Sequence, residues 1–389
     1  MPPQGDKITE YGRILFSGSD RRKRAKERPS FLPRRKAAQK TDSRAGILPL
    51  RVQRPPHTAD RTLRRSCFLL KGTAIHVKYA VISDIHANLP ALDAVLRDAA
   101  RAGAERCIFA GDYALSMPYP NEVAETLRSL PGAVFIRGNE EDHLASLPAG
   151  EGAARTDGQF RALYWCDGVL RAGHRAFLTD LPARLDFAAE GVGIHIAHSS
   201  AAFFGNAERR EFSPMKVAER YTGRPFEHGM LQEDIRAFLS RDAAFRRAAG
   251  PLTPGVYIFG HTHLQWHAAF GGRVFLNPGS CGEPLDLEPG SAPYALLEIA
   301  GGRVRVEQRR VPYDLGALIA ALDRSPLAAY APEWSAVVAR QLATAREHQL
   351  YFLAYAEEYA RRTGDVRRPF APDTWAAAYR GWAEKEARA

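Results

Sequence analysis

A chain of 389 residues with ordinary aliphatic and aromatic content can bury one large core, or one core with an appendage; it has no apolar run long enough to cross a bilayer and no apolar signal segment, so a cytoplasmic protein with no membrane partner is expected. The four cysteines, Cys67, Cys107, Cys166 and Cys281, form no C-x-x-C pair, which argues against a disulfide frame and a thiolate zinc knuckle. The net charge of +10 belongs to the leader alone: residues 1–78 hold 20 Lys and Arg against 6 Asp and Glu, residues 79–389 hold 34 against 38, and a dedicated nucleic-acid groove in the body is thereby disfavoured.

Residues 1–76 carry runs such as Arg21-Arg22-Lys23-Arg24 and Pro33-Arg34-Arg35-Lys36, scattered prolines and no sustained apolar period. Such a segment cannot bury enough surface to offset its ordering entropy, so disorder is expected. A solvated, dispensable extension is the favoured reading. A basic arm for nucleic acid or anionic surfaces is the functional alternative, and nucleic acid enters only through it. A start codon assigned too far upstream is a third, since the folded pattern begins abruptly near Val77.

From Lys78 the pattern is regular. Residues 78–83 read as a buried strand, 89–102 as a helix with apolar Leu92, Val95, Leu96 and Ala99 and with Gly103 as its C-cap, and 106–110 as a second strand ending in Gly111-Asp112. A helix capped by Asn121, with Glu122 in its first turn, leads to a third strand at 133–136, ending in Gly138-Asn139. This alternation indicates βαβ units and a largely parallel sheet. Residues 140–190 read as mostly helical, 193–197 as a fourth strand ending at His198, and the polar stretch 199–255 as a cap over the site. Val256-Tyr257-Ile258-Phe259 is a buried strand that stops at Gly260-His261-Thr262-His263. Two hairpins follow, turning at Gly271-Gly272 and Gly301-Gly302. From Leu315 the chain reads as helical, in 315–322, 332–360 and 372–386, with Trp334, Tyr351, Phe352, Tyr355 and Trp375 packing these helices on the core or on each other.

Asp84, His86, Asp112, Asn139, His198, His261 and His263 are the candidate ligands. Each follows an apolar strand and precedes a break, and in an α/β fold such positions converge on one sheet edge. All seven offer nitrogen or oxygen, which suits Mn, Fe, Zn, Co or Ni and disfavours a soft-metal site. Seven ligands exceed what one catalytic ion uses while keeping a position for water; two divalent ions sharing a carboxylate use them all.

Asp-x-His, Gly-Asp, Gly-Asn, His and Gly-His-x-His, in that order on strand ends, resemble the calcineurin-like metallophosphoesterase superfamily. Ser83-Asp84-Ile85-His86-Ala87-Asn88-Leu89-Pro90-Ala91-Leu92, Gly111-Asp112-Tyr113, Pro120-Asn121-Glu122-Val123 and Asn277-Pro278-Gly279-Ser280 resemble its small bacterial phosphodiesterase branch. The resemblance spans about residues 78–314, to the Val311-Pro312-Tyr313-Asp314 exit. It implies an α/β protein, a two-sheet α/β/β/α sandwich over 77–314, with a cap insertion at 199–255 and a helical C-terminal extension at 315–389. It implies a first metal on Asp84, His86, Asp112 and His263, and a second on Asp112, Asn139, His198 and His261, with Asp112 as the bridge. His198 is preferred over His195 because it ends the strand; His195 is expected to be packed or to support the ligands. The implied activity is hydrolysis of small-molecule phosphodiesters, less so monoesters, by attack of a metal-bridging hydroxide, with Asp112 and Asn139 among the catalytic residues.

One departure bears on catalysis. Where many members carry a leaving-group histidine after Gly-Asn, this chain has Glu140, in Gly138-Asn139-Glu140-Glu141-Asp142-His143. Glu140 could act as the acid only if its pKa were raised, and beside two cations the reverse is expected, so either His143 substitutes from one helical turn on, or the substrates have good leaving groups, or turnover is low. A catalytically weak or inactive scaffold on the same fold is the alternative function. Ala87 replaces a usual glycine, affecting loop freedom.

Overall fold

The computed structural model describes residues 76–147, 155–221 and 229–388, so the leader expected to be disordered falls, except for His76, outside the described residues. β1 (His76–Ile82) is buried from Tyr79 onward, as a strand covered on both faces must be. α1 (Leu89–Arg101) follows, with Leu92, Val95 and Ala99 buried at helical spacing and the Asn88 side chain capping the Ala91 N–H. β2 (Arg106–Phe109), α2 (Pro120–Ser129) and β3 (Val134–Phe135) complete two βαβ crossovers, with β1, β2 and β3 parallel.

α3 (Asn139–Ser146), α4 (Arg161–Val169) and α5 (Ala172–Thr179) lead to the hairpin of β4 (Arg184–Ala189) and β5 (Val192–Ala197). The 199–255 stretch folds as α6 (Ala201–Phe204), α7 (Ala207–Arg210), α8 (Met215–Ala218), α9 (Met230–Arg241) and α10 (Ala243–Ala249). β6 (Gly255–Ile258) then runs parallel to β5, β7 (Gln265–Phe270) pairs with β8 (Arg273–Pro278) through Gly271-Gly272, and β9 (Ser291–Ala300) pairs with β10 (Arg303–Pro312) through Gly301-Gly302. Two five-stranded sheets result, ordered β10-β9-β1-β2-β3 and β4-β5-β6-β8-β7.

The core is layered as the sandwich requires. Tyr79, Val81, Ile108, Ile194, Ile196, Val256, Ile258 and Leu297 fill the space between the sheets. The alternate residues Ala80, Ile82 and Phe109 face α1 and α2, while Tyr257, Phe259 and Phe275 face the helices of the 199–255 stretch. The tail supplies α11 (Leu315–Asp323), α12 (Pro326–Tyr330), α13 (Pro332–Thr344), α14 (Gln349–Thr363) and α15 (Pro372–Ala387). Leu318, Leu322, Val338 and Leu342 pack with Ala87, Met117 and Ala162, so the methyl that replaces the usual glycine at position 87 enters an apolar cluster shared with the tail.

Five expectations are corrected. The sheets are mixed rather than largely parallel, because β4, β7, β9 and β10 are hairpin strands. The 140–190 stretch, read as mostly helical, is helical in α3, α4 and α5 but also contains the strand β4, which lies at a sheet edge and whose side chains alternate half-buried and exposed, a weak apolar signal. α2 starts at Pro120 after Tyr119 without a side-chain cap; the Asn121 amide instead donates to the Val169 carbonyl at 2.8 Å and accepts from the Arg171 N–H at 2.9 Å. The expected helix over 332–360 breaks at Ala345, whose φ is +47°. There the Gln341 side-chain oxygen takes the His348 N–H at 3.1 Å and the Ala345 carbonyl takes the Leu287 N–H at 3.1 Å, tertiary bonds that replace the helical ladder. Of the aromatic residues in the tail, Trp334, Phe352, Tyr355 and Trp375 pack together, and Tyr351 is exposed.

Phe352 sits fully buried against Trp375 and Trp382, at ring-centroid distances of 4.5 and 5.5 Å. Phe352→Ala is expected to cost about 3–5 kcal/mol, read as a lowered urea midpoint, since an interior of helix-borne aromatics collapses poorly around the cavity left behind.

Candidate metal centre

All seven candidate ligands lie at the C-terminal ends of the parallel strands β1, β2, β3, β5 and β6. The chain must reverse there without losing its hydrogen bonds, and it does so through left-handed residues. Asp84 and His86 have φ of +54°, Asp112 of +57°, His261 of +69° and His263 of +56°. For residues bearing a Cβ this conformation is strained, and such strain persists where surrounding contacts over-determine it. The contacts are present: the Ile85 and His86 N–H groups both donate to the Asp112 carbonyl, at 2.8 and 3.1 Å. Two glycines make the approach of the loops feasible. A Cβ on Gly138 would stand 2.1 Å from Asp112 Oδ1, and one on Gly260 would stand 2.0 Å from Ser83 Oγ.

Three imidazoles are oriented by what their Nδ1 atoms meet. His198 Nδ1 donates to the Ala110 carbonyl at 2.7 Å, His263 Nδ1 to the Glu283 carbonyl at 2.7 Å, and His86 Nδ1 to Glu140 Oε1 at 2.9 Å. Their Nε2 atoms point into the centre, and there they meet acceptors. His86 Nε2 faces His263 Nε2 at 3.1 Å, and His263 Nε2 faces Asp84 Oδ1 at 3.4 Å. His198 Nε2 faces Asp112 Oδ2 at 3.1 Å and Asn139 Oδ1 at 3.0 Å, while His261 Nδ1 faces the same Asn139 oxygen at 2.8 Å. The donor atoms of Asp84, His86 and His263 lie within 4.8 Å of one another, as do those of Asp112, His198 and His261, and those of His86, Asp112 and Glu140.

Lone pairs aimed at lone pairs require positive charge between them. Without a metal, protons are the available charge, and the pKa values shift accordingly. Burial opposes a charged imidazole, yet the carboxylates of Glu140 and Glu283 hold His86 well above the ordinary histidine value, Asp84 raises His263, and Asp112 raises His198 to about 10. His261 goes the other way, lowered to about 4 by burial and by the His198 charge. Asp84 and Asp112 are held below the carboxylate range against their burial, chiefly by His263 and His198 respectively. A donor set of imidazoles, carboxylates and a carboxamide, with second nitrogens already committed to protein acceptors, fits divalent transition ions.

Glu140 stands beside this set rather than apart from it. One oxygen takes the His86 proton and the other the Leu115 N–H at 3.2 Å, so the carboxylate orients a ligand; burial raises its pKa and His86 pulls against that. Glu141 accepts the N–H groups of Asp112, Tyr113 and Gly138, each at 2.9 Å, and so locks the Asp112 loop to the start of α3. His143, one turn beyond Asn139, lines the cavity in front of the ligands; burial lowers its pKa. His195 lies elsewhere, bonded to Asp186 at 2.5 Å and stacked on Tyr257, and is not among the ligand groups.

The cavity measures about 690 Å³ and is walled on its far side by the 199–219 segment and by the tail around the break at Ala345. Sequence reasoning missed the acidic residues behind the ligands. Glu141 was detectable as an acid three residues after Gly138, the capping-box position. Glu283 was not: its carbonyl takes His263 while its carboxylate takes the amides of Gln341 at 3.1 Å and Gln349 at 2.8 Å, partners from the distant tail.

The profile of the calcineurin-like phosphoesterase superfamily domain matches residues 77–302, over half of the chain. The chain belongs to the calcineurin-like phosphoesterase superfamily. An uncharacterised protein of Methanocaldococcus jannaschii is 24% identical over 270 residues, which cover 66% of this chain and 94% of that protein. A metallophosphoesterase structure from Sphaerobacter thermophilus is 24% identical over 69% of this chain and 99% of its own, with a TM-score of 0.46. A hypothetical protein of Pyrococcus horikoshii is 20% identical over 67% and 97%, with a TM-score of 0.47. As a calcineurin-like phosphoesterase the chain is a metal-dependent phosphoester hydrolase by family, and no helix among the described residues is long and apolar enough to cross a membrane.

Metal binding needs neutral imidazoles, and the raised pKa values of His86, His198 and His263 mean that protons compete with a metal for these nitrogens. Binding of Mn²⁺ is therefore expected to release protons and to tighten as pH rises, measured as a buffer-dependent enthalpy by calorimetry. A binding constant independent of pH between 6 and 8 would contradict it.

Proposed function

We propose that this calcineurin-like phosphoesterase hydrolyses small-molecule phosphodiesters at a pair of divalent cations. The observation that carries the reading is the convergence of imidazole nitrogens with carboxylate and carboxamide oxygens: Asp84, His86 and His263 form one group, Asp112, His198 and His261 a second, and Asp112 also lies within reach of His86 and Glu140, which links the two. In this reading Asp84, His86, Asp112 and His263 hold one ion and Asp112, Asn139, His198 and His261 the other. Residues 77–314 form the catalytic domain, 199–255 its cap and 315–389 the extension that closes the site. Divalent ions so held supply Lewis acidity toward the phosphoryl oxygens and acidify an attacking water.

The chain's own residues do the rest. Asp112 is kept ionised and fixed by its neighbours: the Glu140 N–H donates to Oδ1 at 2.9 Å while Oδ2 faces His198. Asn139 and His143 lie one turn apart on α3, on the same face, and both line the cavity, which supports His143 as the group that meets the leaving oxygen of a phosphoryl group held near Asn139. Its lowered pKa leaves it mostly neutral at pH 7, so the protonated form that can donate is a minor population, which favours diesters with acidic leaving alcohols. Glu140, engaged by His86 and the Leu115 N–H, orients that ligand instead of donating a proton. That arrangement also weakens the scaffold alternative, because the departure at Glu140 leaves the ligand set whole.

Apoprotein supplied separately with Mn, Fe, Ni, Co, Zn and Mg is expected to hydrolyse bis-p-nitrophenyl phosphate faster than p-nitrophenyl phosphate with at least one transition ion. His143→Ala is expected to lower kcat on an alkyl diester by roughly 10²-fold, and on the nitrophenyl diester by less. A purified chain that binds no divalent ion, or that prefers the monoester, would overturn the proposal.

A further inference from the structure

Glu208 lines the same cavity and has no partner in it. Carried on α7, it is only 5% exposed, yet neither carboxylate oxygen meets a hydrogen-bond donor. Burial pushes the group up to about 7; the Ser200 hydroxyl acts against this but stands outside hydrogen-bonding geometry. No cation among the described residues contributes to its titration. Buried polar groups are normally satisfied, and the exceptions that border a ligand cavity are completed by the ligand. Ser200 is two residues beyond His198, at most about 7 Å of extended chain, so this wall adjoins the proposed ligands. A second orphan supports the pattern: Gln159, 7% exposed and also cavity-lining, commits its oxygen to the Phe370 N–H at 3.2 Å and leaves its Nε2 without an acceptor.

We propose that Glu208 is a substrate-binding residue that accepts a hydrogen bond from a hydroxyl or amine on the part of the substrate beyond the phosphate. The substrates are then phosphoesters of polyols or amino alcohols rather than of plain alkyl alcohols, with Gln159 donating to an oxygen of the same group. The cavity of about 690 Å³ has room for such a group, being in the range of sites for whole small molecules rather than for phosphate alone. This inference rests on the phosphoesterase reading, but the preference it names is a matter of binding and is measured without turnover.

The test uses the full chain loaded with Mn²⁺ and two phosphonate pairs that cannot be hydrolysed: 3-hydroxypropylphosphonate against propylphosphonate, and 2-aminoethylphosphonate against ethylphosphonate. Calorimetry should show the wild type binding at least one donor-bearing member about tenfold or more tightly than its plain counterpart. Glu208→Leu should erase that preference, and Glu208→Gln, which keeps an acceptor oxygen, should retain part of it. Metal content should match the wild type. The melting temperature of Glu208→Leu should equal or exceed the wild-type value, because an unpaired buried carboxyl is removed; a structural carboxyl would lower it. Equal binding within both pairs by the wild type, or a preference that survives Glu208→Leu, overturns the inference. A preference without hydrolysis of any ester sinks the phosphoesterase reading and leaves the subsite; hydrolysis without a preference does the opposite.

Discussion

The centre depends on a repulsion that the fold imposes: side-chain acceptors from five strand ends are pressed together with nothing but charge to reconcile them. His86 and His263 bring two nitrogens to 3.1 Å, and Asn139 presents a single oxygen to both His198 and His261. Such an arrangement is stable only if the backbone cannot relax. The left-handed residues at Asp84, His86, Asp112, His261 and His263 are held by bonds between loops, including Cys281 N–H to the Ser83 carbonyl and Gly282 N–H to the Asp84 carbonyl, both at 2.9 Å. The strain and the repulsion have the same support, and both are preparation for a divalent ion.

Behind the ligands a ring of carboxylates distributes the load. Glu140 fixes His86, Glu141 gathers three N–H groups around the Asp112 loop, and Glu283 gives its carbonyl to His263. Each acts on a different loop. The departure at position 140, which in sequence looks like the loss of a proton donor, becomes in three dimensions the gain of an orienting partner for a ligand.

The candidate ligands were legible because each sits where an apolar run ends and a break begins, a signal local to a few residues. The alternation gave the βαβ units, and the two-sheet sandwich came from the family resemblance. Other features were not local. β4 is an edge strand with one half-buried face, so Leu185 and Phe187 carry too little apolar signal to outweigh the helical neighbourhood. Ala345 is a good helix former, and only tertiary bonds from Leu287 and the reach of Gln341 across the break end the helix there. The orphaned carboxyl of Glu208 resembles any surface glutamate until burial removes its water. Sequence patterns report what a residue does to its neighbours in the chain, whereas these three are defined by neighbours across the fold.

The break at Ala345 makes the tail more than a cover. It swings Gln349 beside Gln341 so that both amides grip one carboxylate oxygen of Glu283, whose own carbonyl orients His263. Two hydrogen bonds thus separate α14 from an imidazole of the candidate metal centre. Anything that rotates α14 would be felt as a change in the pull on that imidazole, and so in the hold on the ion, which gives the C-terminal region a mechanical line to the chemistry that a simple lid would lack.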